Sequence, residues 1–120
     1  MNIKLTAKET TFFKAYVEAI DFTETGDVNQ PEAGEPLDET FLRESLIDCL
    51  AFYNRIMCHL SDDMIEQAGH DFWFTRNGHG VGFWSRPEIY KEYQAELFTK
   101  HAQSFGGVNA YFENWINLGE

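Results

Sequence analysis

Two aromatic-rich runs meet at Asn77-Gly78: Phe72-Trp73-Phe74-Thr75-Arg76 before it, and Val81-Gly82-Phe83-Trp84 shortly after it. An Asn-Gly pair between such runs is the strongest short-range signature of a tight β reversal, because both residues tolerate the positive φ it needs. The stretch 69–84 is therefore expected to form a β-hairpin. A two-residue loop pairs Arg76 with His79, and a four-residue loop pairs Arg76 with Val81. Both registers have the same parity. Either way Phe72, Phe74, Val81 and Phe83 share one face, while Trp73, Thr75, Gly80, Gly82 and Trp84 share the other. The phenylalanine face is assigned to the core. The tryptophan face packs under a helix or offers a platform to a partner.

The flanking segments read as helices. Thr6-Ala7-Lys8-Glu9 is a capping box, and Phe13, Tyr16, Val17 and Ile20 follow at helical spacing, which predicts a helix over 7–21. Residues 23–37 hold Gly26, Pro31, Gly34 and Pro36 and read as an acidic loop. Asp38 caps a long helix to Leu60, with Leu42, Leu46, Cys49, Leu50, Tyr53, Ile56, Met57 and Leu60 as its apolar face. Ser61 caps a short helix ending at Gly69. Ser85-Arg86-Pro87-Glu88 reads as a second capping box, opening a helix that carries Ile89, Tyr90, Tyr93, Leu97 and Phe98 to about Ser104. Gly106-Gly107 stops it, and 108–118 reads as one or two short strands. The expected class is α+β, one domain over 1–120, with N-terminal helices, the hairpin, a further helix and a short C-terminal strand in a small antiparallel sheet.

Composition narrows the functional classes. The chain has 120 residues, 43% of them hydrophobic, enough for a packed core. Its 20 acidic and 9 basic residues give a net charge of -11, which repels nucleic acid and anionic membranes and favours a cationic partner. The acids concentrate: Glu18, Asp21, Glu24, Asp27, Glu32, Glu35, Asp38, Glu39, Glu44 and Asp48 stand against Arg43 alone between 18 and 48. Cys49 and Cys58 lie nine residues apart on one expected helix, about 13 Å of rise, too far for a disulfide. Reduced thiols and a cytoplasmic setting follow. No signal pattern or long apolar span is present, so neither export nor a membrane partner is expected.

The candidate chemical residues do not converge in this reading. On a hairpin, His70 at the open end and His79 at the turn are about 17 to 20 Å apart, too far for one metal ion. Asp71 points away from His70. The Asn77-Gly78-His79-Gly80 loop joins two strands and lacks the lysine and following helix of a phosphate-binding loop. Asp62-Asp63 suits a helix N-terminus, without calcium-loop spacing. Catalytic residues, metal and cofactors are thus all expected to be none. Arg76 and His79 at the tip remain as anion-binding candidates.

The run Ala68-Gly69-His70-Asp71-Phe72-Trp73-Phe74-Thr75-Arg76-Asn77-Gly78-His79-Gly80-Val81-Gly82-Phe83-Trp84-Ser85-Arg86 resembles a motif in small acidic proteins of tailed bacteriophages. Those relatives carry an acidic residue at the position of Ser85 and glycines at Pro87-Glu88. The resemblance implies phage origin and a host-cytoplasm setting, and it carries over no catalytic residue. Together with the charge, it frames the expected function: an accessory protein that binds a host protein, nucleic-acid-binding in kind, as an acidic DNA mimic or anti-defence inhibitor. Trp73 and Trp84 are the expected anchors, and Glu32, Glu35, Asp38 and Glu39 the expected source of attraction. The alternatives are a small hydrolase or nuclease using His70, Asp71 and either His59 or His101, and a homodimer joined through the tryptophan face.

Overall fold

The computed structural model describes residues 4–25 and 37–110. Four helices make the architecture: α1 Ala7–Thr25, α2 Glu39–Ile56, α3 Ile65–Arg76 and α4 Glu92–Ser104, with single 3-10 turns at Met57–His59, Asp62–Met64 and Phe83–Ser85. No strand or sheet occurs among the described residues. The α+β class is therefore corrected to an all-helical one. The expected C-terminal strands begin at 108, where 108–110 are irregular, and their remainder falls on 111–118, outside the described residues.

The expected hairpin is the largest correction. Its first strand is the second half of α3. Read at 3.6 residues per turn, Ile65, Ala68, Gly69, Phe72, Trp73 and Arg76 fall on one stripe, and all are buried. The alternation at 72–75 is short enough to satisfy both periods, and tertiary packing selects the helical one. Asn77-Gly78 ends the helix instead of joining strands. Gly78 adopts φ 66, its N–H donates to the Thr75 carbonyl at 3.3 Å, and the His79 N–H donates to Phe74 at 3.1 Å. Those two bonds are the Schellman closure, which needs the same left-handed glycine as a hairpin turn.

The two strand faces dissolve with the hairpin: Trp73 is buried with Phe72, whereas Trp84 is half exposed. The expected capping box at Ser85 is also corrected. The Ser85 hydroxyl turns back to Gly82, accepting from its N–H at 3.0 Å and donating to its carbonyl at 2.9 Å. Residues 86–90 form a turn, and α4 starts only after Lys91, whose N–H is accepted by Gln94 Oε1 at 2.8 Å. That delay aims Arg86 and Tyr90 inward.

Three local signals elsewhere hold, whereas Ser61 makes no cap bond and α2 stops at Ile56, four residues short of the expected Leu60. Thr6 and Glu9 exchange both capping-box bonds, at 2.8 and 3.1 Å. Asp38 accepts from the Phe41 N–H at 3.1 Å and opens α2. Gly106, at φ 75, closes α4 as expected. α1 runs four residues beyond its expected end, into the segment assigned to the loop, and α3 runs straight through Gly69. The buried face of α2 is rotated to Phe41, Ser45, Cys49, Phe52, Tyr53 and Ile56, with Met57 exposed. Both cysteines are thiols, Cys49 buried and Cys58 exposed.

An aromatic core binds the helices together. α1 lies along α3 in the most extensive helix pair, and Phe12 and Tyr16 of α1 meet Phe72 at centroid distances of 6.2 and 5.3 Å. Phe52 of α2 stacks flat on Phe72 at 4.1 Å, and Phe83 links Phe52 to Tyr90 and Phe98. Rings of this kind bury large areas and add pair geometry to the burial. Among the described residues no helix is long and apolar enough to cross a membrane.

Candidate functional site

The run 68–86 turns Asp71, Thr75 and Arg76 inward and bonds them to several other elements. Asp71, 0% exposed, sits on the buried side of α3. Its carboxylate accepts from Arg86 Nε at 2.8 and 3.0 Å, from the Tyr90 hydroxyl at 2.8 Å and from Gln67 Nε2 at 3.2 Å. A buried carboxylate needs such partners, because isolated burial of its charge is costly. One turn later, Arg76 enters the core. Its guanidinium donates to the Gly106 and Phe105 carbonyls at 2.8 and 3.3 Å and to the Tyr16 hydroxyl at 3.1 Å, and it pairs with Asp48 at 3.0 Å. Asn77 finishes the clamp. Its Oδ1 accepts from the Val108 N–H at 2.8 Å, and its Nδ2 donates to the Trp73 carbonyl at 3.0 Å. The run thus ties α3 to α1, α2, the 83–90 segment and the chain after α4. Its composition answers a folding requirement.

The expected site residues divide accordingly. Trp73, 1% exposed, packs edge-on to Tyr16 and donates from its indole to Thr23 Oγ1 at 3.0 Å, so it anchors the core. Arg76 is enclosed and engaged, so it does not present a tip for anions. His79 is exposed and lies 6.0 Å from both Trp73 and Phe74 by ring centroid. Asp38 is spent on the α2 cap, and Glu39 pairs with Arg43 at 3.1 Å on the surface. Glu32 and Glu35 lie outside the described residues. Trp84 alone of the two tryptophans keeps a surface, at 47% exposed.

The hydrolase constellation is not assembled. His70 points to Glu18 of α1 at 3.3 Å, while Asp71 is closed inside its own network, and His59 packs against Tyr93. Among the described residues no group of three or more His, Cys, Asp or Glu side chains is placed to hold a metal ion.

What His70 does mark is an acidic hollow. Asp63, Glu66 and Glu88 line a 320 Å³ depression with His70 and Gln67, and Glu18 reaches its rim through His70. The carboxylates come from α1, the turn before α3, α3 itself and the 86–90 turn, so ordered elements hold them. Sequence reasoning missed this face because its members are 45 and more residues apart from Glu18.

Burial displaces the proton equilibria of Tyr53, Tyr90, Tyr16 and Cys49, the last three most strongly. Burial and the neighbouring Asp71 carboxylate push the Tyr90 phenol well up. Burial does the same to Tyr16, and it raises the Cys49 thiol well above its usual value of 9.0. Each stays protonated in the folded chain where the unfolded chain releases its proton. Their contribution to stability is complete below pH 9 and declines as pH rises past the unfolded values of 9.0 and 10.0. The melting temperature is expected to fall steadily from about pH 9 upward, and Tyr90→Phe is expected to flatten part of that decline. A melting temperature level to pH 11 would show the three groups to be accessible.

Set beside protein-family models, curated proteins and solved structures, the chain matches none of them.

Proposed function

We propose that this chain is a non-catalytic phage accessory protein that acts in the host cytoplasm, docking an acidic face onto a cationic surface of a host protein, nucleic-acid-binding in kind. The observation that carries the reading is the hollow around His70, where Glu18, Asp63, Glu66 and Glu88 gather on ordered elements. A surface that stands in for a polyphosphate needs carboxylates held in place, and this one has them. The basic residues accentuate it. Arg76 and Arg86 are turned inward onto Asp48 and Asp71, and Lys8 and Arg43 are paired on the surface with Asp62 and Glu39. The net charge of -11 is therefore felt mostly outside. Charge complementarity of this kind raises association rates and is screened by salt.

The test is affinity capture from a bacterial host lysate, washed at low and raised salt, with the native chain beside a Glu18→Gln, Glu66→Gln, Glu88→Gln variant. All three positions lie at the surface, so the fold is expected to persist. A basic partner held at low salt, shed at raised salt and held about tenfold more weakly by the triple variant supports the proposal. A partner that ignores both salt and the substitutions overturns it.

A further inference from the structure

Midway along α2 a pocket of 480 Å³ opens between that helix and the chain after α4. Glu44, Ser45 and Asp48 line it from α2, Ile47 and Val108 give it apolar walls, and the enclosed Arg76 backs it. Two features set it apart. The first is its charge. Arg76 is held by two carbonyls and the Tyr16 hydroxyl, and its Nη1 pairs with Asp48 Oδ2 at 3.0 Å. That pairing leaves Asp48 Oδ1 to the pocket, on a side chain still 33% exposed. Glu44, one turn earlier, makes no ion pair among the described residues. With Arg76 counted, the pocket holds one net negative charge. The second feature is Ser45, which is 3% exposed and whose hydroxyl bonds to no described group. A serine in mid-helix ordinarily turns to the carbonyl one turn earlier, and this one does not. Nor is its oxygen sealed: among the described residues the sealed, unpartnered hydroxyl is that of Thr99, whereas Ser45 lines the pocket.

We infer that this pocket binds a primary alkylammonium ion, the head group common to a lysine side chain and a free aliphatic amine. Helical spacing sets Glu44 and Ser45 each beside Asp48, with neighbouring Cβ atoms about 5–6 Å apart. Their open oxygens make a tripod of acceptors, and an ammonium carries three N–H donors to meet it. A guanidinium fork engages both oxygens of one carboxylate. Asp48 has already committed one of its pair to Arg76, and a fork on the exposed Glu44 leaves Ser45 unmet. A quaternary ammonium has no donor for any of the three, and an anion meets two carboxylates. Ile47, 54% exposed, and Val108 then flank the aliphatic stem, which covers apolar surface while its head is bonded. The volume suits a small group of this kind, since ligand pockets run from about 300 to 1,000 Å³. The inference stands independently of the acidic hollow, which uses none of these residues.

The probes are n-butylammonium and acetyl-lysine-N-methylamide, titrated at constant ionic strength into the full-length, isotopically labelled protein. Tetramethylammonium and n-butylguanidinium are the controls. Saturable shifts centred on the Ser45, Asp48 and Val108 amides are expected with both primary ammonium probes, and binding about tenfold weaker with both controls. Tighter binding of the lysine derivative marks a partner's lysine as the source, and tighter binding of butylammonium marks a free amine. Either order supports the site. Ser45→Ala is expected to weaken binding about tenfold without lowering the melting temperature, because the hydroxyl it removes is bonded to nothing in the free chain. Glu44→Gln, at an exposed position, is expected to weaken it about fivefold. The Glu18→Gln, Glu66→Gln, Glu88→Gln variant is expected to bind butylammonium like the native chain, which separates this pocket from the acidic face. No saturable shift, shifts spread over the acidic surface with no centre at 44–48, equal binding of tetramethylammonium, or a Ser45→Ala variant that binds as tightly as the native chain each overturn the inference.

Discussion

Gly69→Ala is expected to lower the urea midpoint of unfolding sharply, by the equivalent of at least about 3 kcal/mol. On an exposed helix the same change adds roughly 1 kcal/mol of stability, because alanine is the better helix former. The sign reverses because α3 meets α1 at this residue. A Cβ on Gly69 would run into the Phe12 carbonyl oxygen, come within 2.8 Å of Ala15 Cβ and lie 3.2 Å from the Tyr16 backbone nitrogen. Two of these are backbone atoms, which cannot swing aside as the end of a side chain would. The helices must separate, and separation loosens the ring contacts of Phe12 and Tyr16 with Phe72. Ala15 and Ala19, both buried on α1, reflect the same close approach. Gly69→Val should be worse still. An unchanged or raised midpoint in Gly69→Ala would mean that the α1–α3 contact yields cheaply and that packing does not require a glycine in mid-helix.

The elements that could be read in advance were those whose cause is local. Thr6 with Glu9, Asp38 with Phe41, and Gly106 after Ser104 each act across three or four residues, and each does what its spacing indicates. The segment 65–90 misled because its cause lies elsewhere. A stripe through Ile65, Ala68, Gly69, Phe72 and Arg76 contains a glycine and an arginine, which a tally of apolar residues scores as surface. Gly69 is buried by the nearness of α1, and Arg76 by Asp48 and by the chain at 105–106. Asn77-Gly78 is equally good grammar for a hairpin turn and for a Schellman stop, since both ask for a left-handed residue. The sites divide in the same way. Strand parity joins Trp73 and Trp84 on one face, whereas the helical packing buries the first and leaves the second half exposed. Nothing at Ser45 announced an unpartnered hydroxyl. A serine in mid-helix ordinarily turns to the preceding carbonyl or to water.

Asp71→Asn is the second substitution expected to act strongly, and its effect follows from charge rather than volume. The amide matches the carboxylate in shape, yet it places an N–H₂ where three donors now converge: Arg86 Nε, the Tyr90 hydroxyl and Gln67 Nε2. The phenol can rotate to accept, but the guanidinium cannot. Arg86 is left as an uncompensated cation with its side chain 24% exposed, beside a core that has closed around the missing charge. Breaking a buried pair from one side costs about 3–5 kcal/mol, and the partial exposure of Arg86 puts the expectation near the lower figure. Tyr90→Phe, which leaves the ion pair whole, should cost only about 1 kcal/mol. The decisive comparison is the double substitution Asp71→Leu with Arg86→Met. Replacing both charges with apolar groups of similar size avoids the stranded ion, so the double variant is expected to be more stable than Asp71→Asn despite altering more. If the double variant instead unfolds as readily as the single one, the pair is fixing the direction of the 86–90 turn, and with it the packing of Tyr90 on Phe83 next to Trp84. The two accounts then part on a second measurement. A pair that only neutralises buried charge leaves the Trp84 indole resonance of the double variant in place, and a pair that sets the turn moves it.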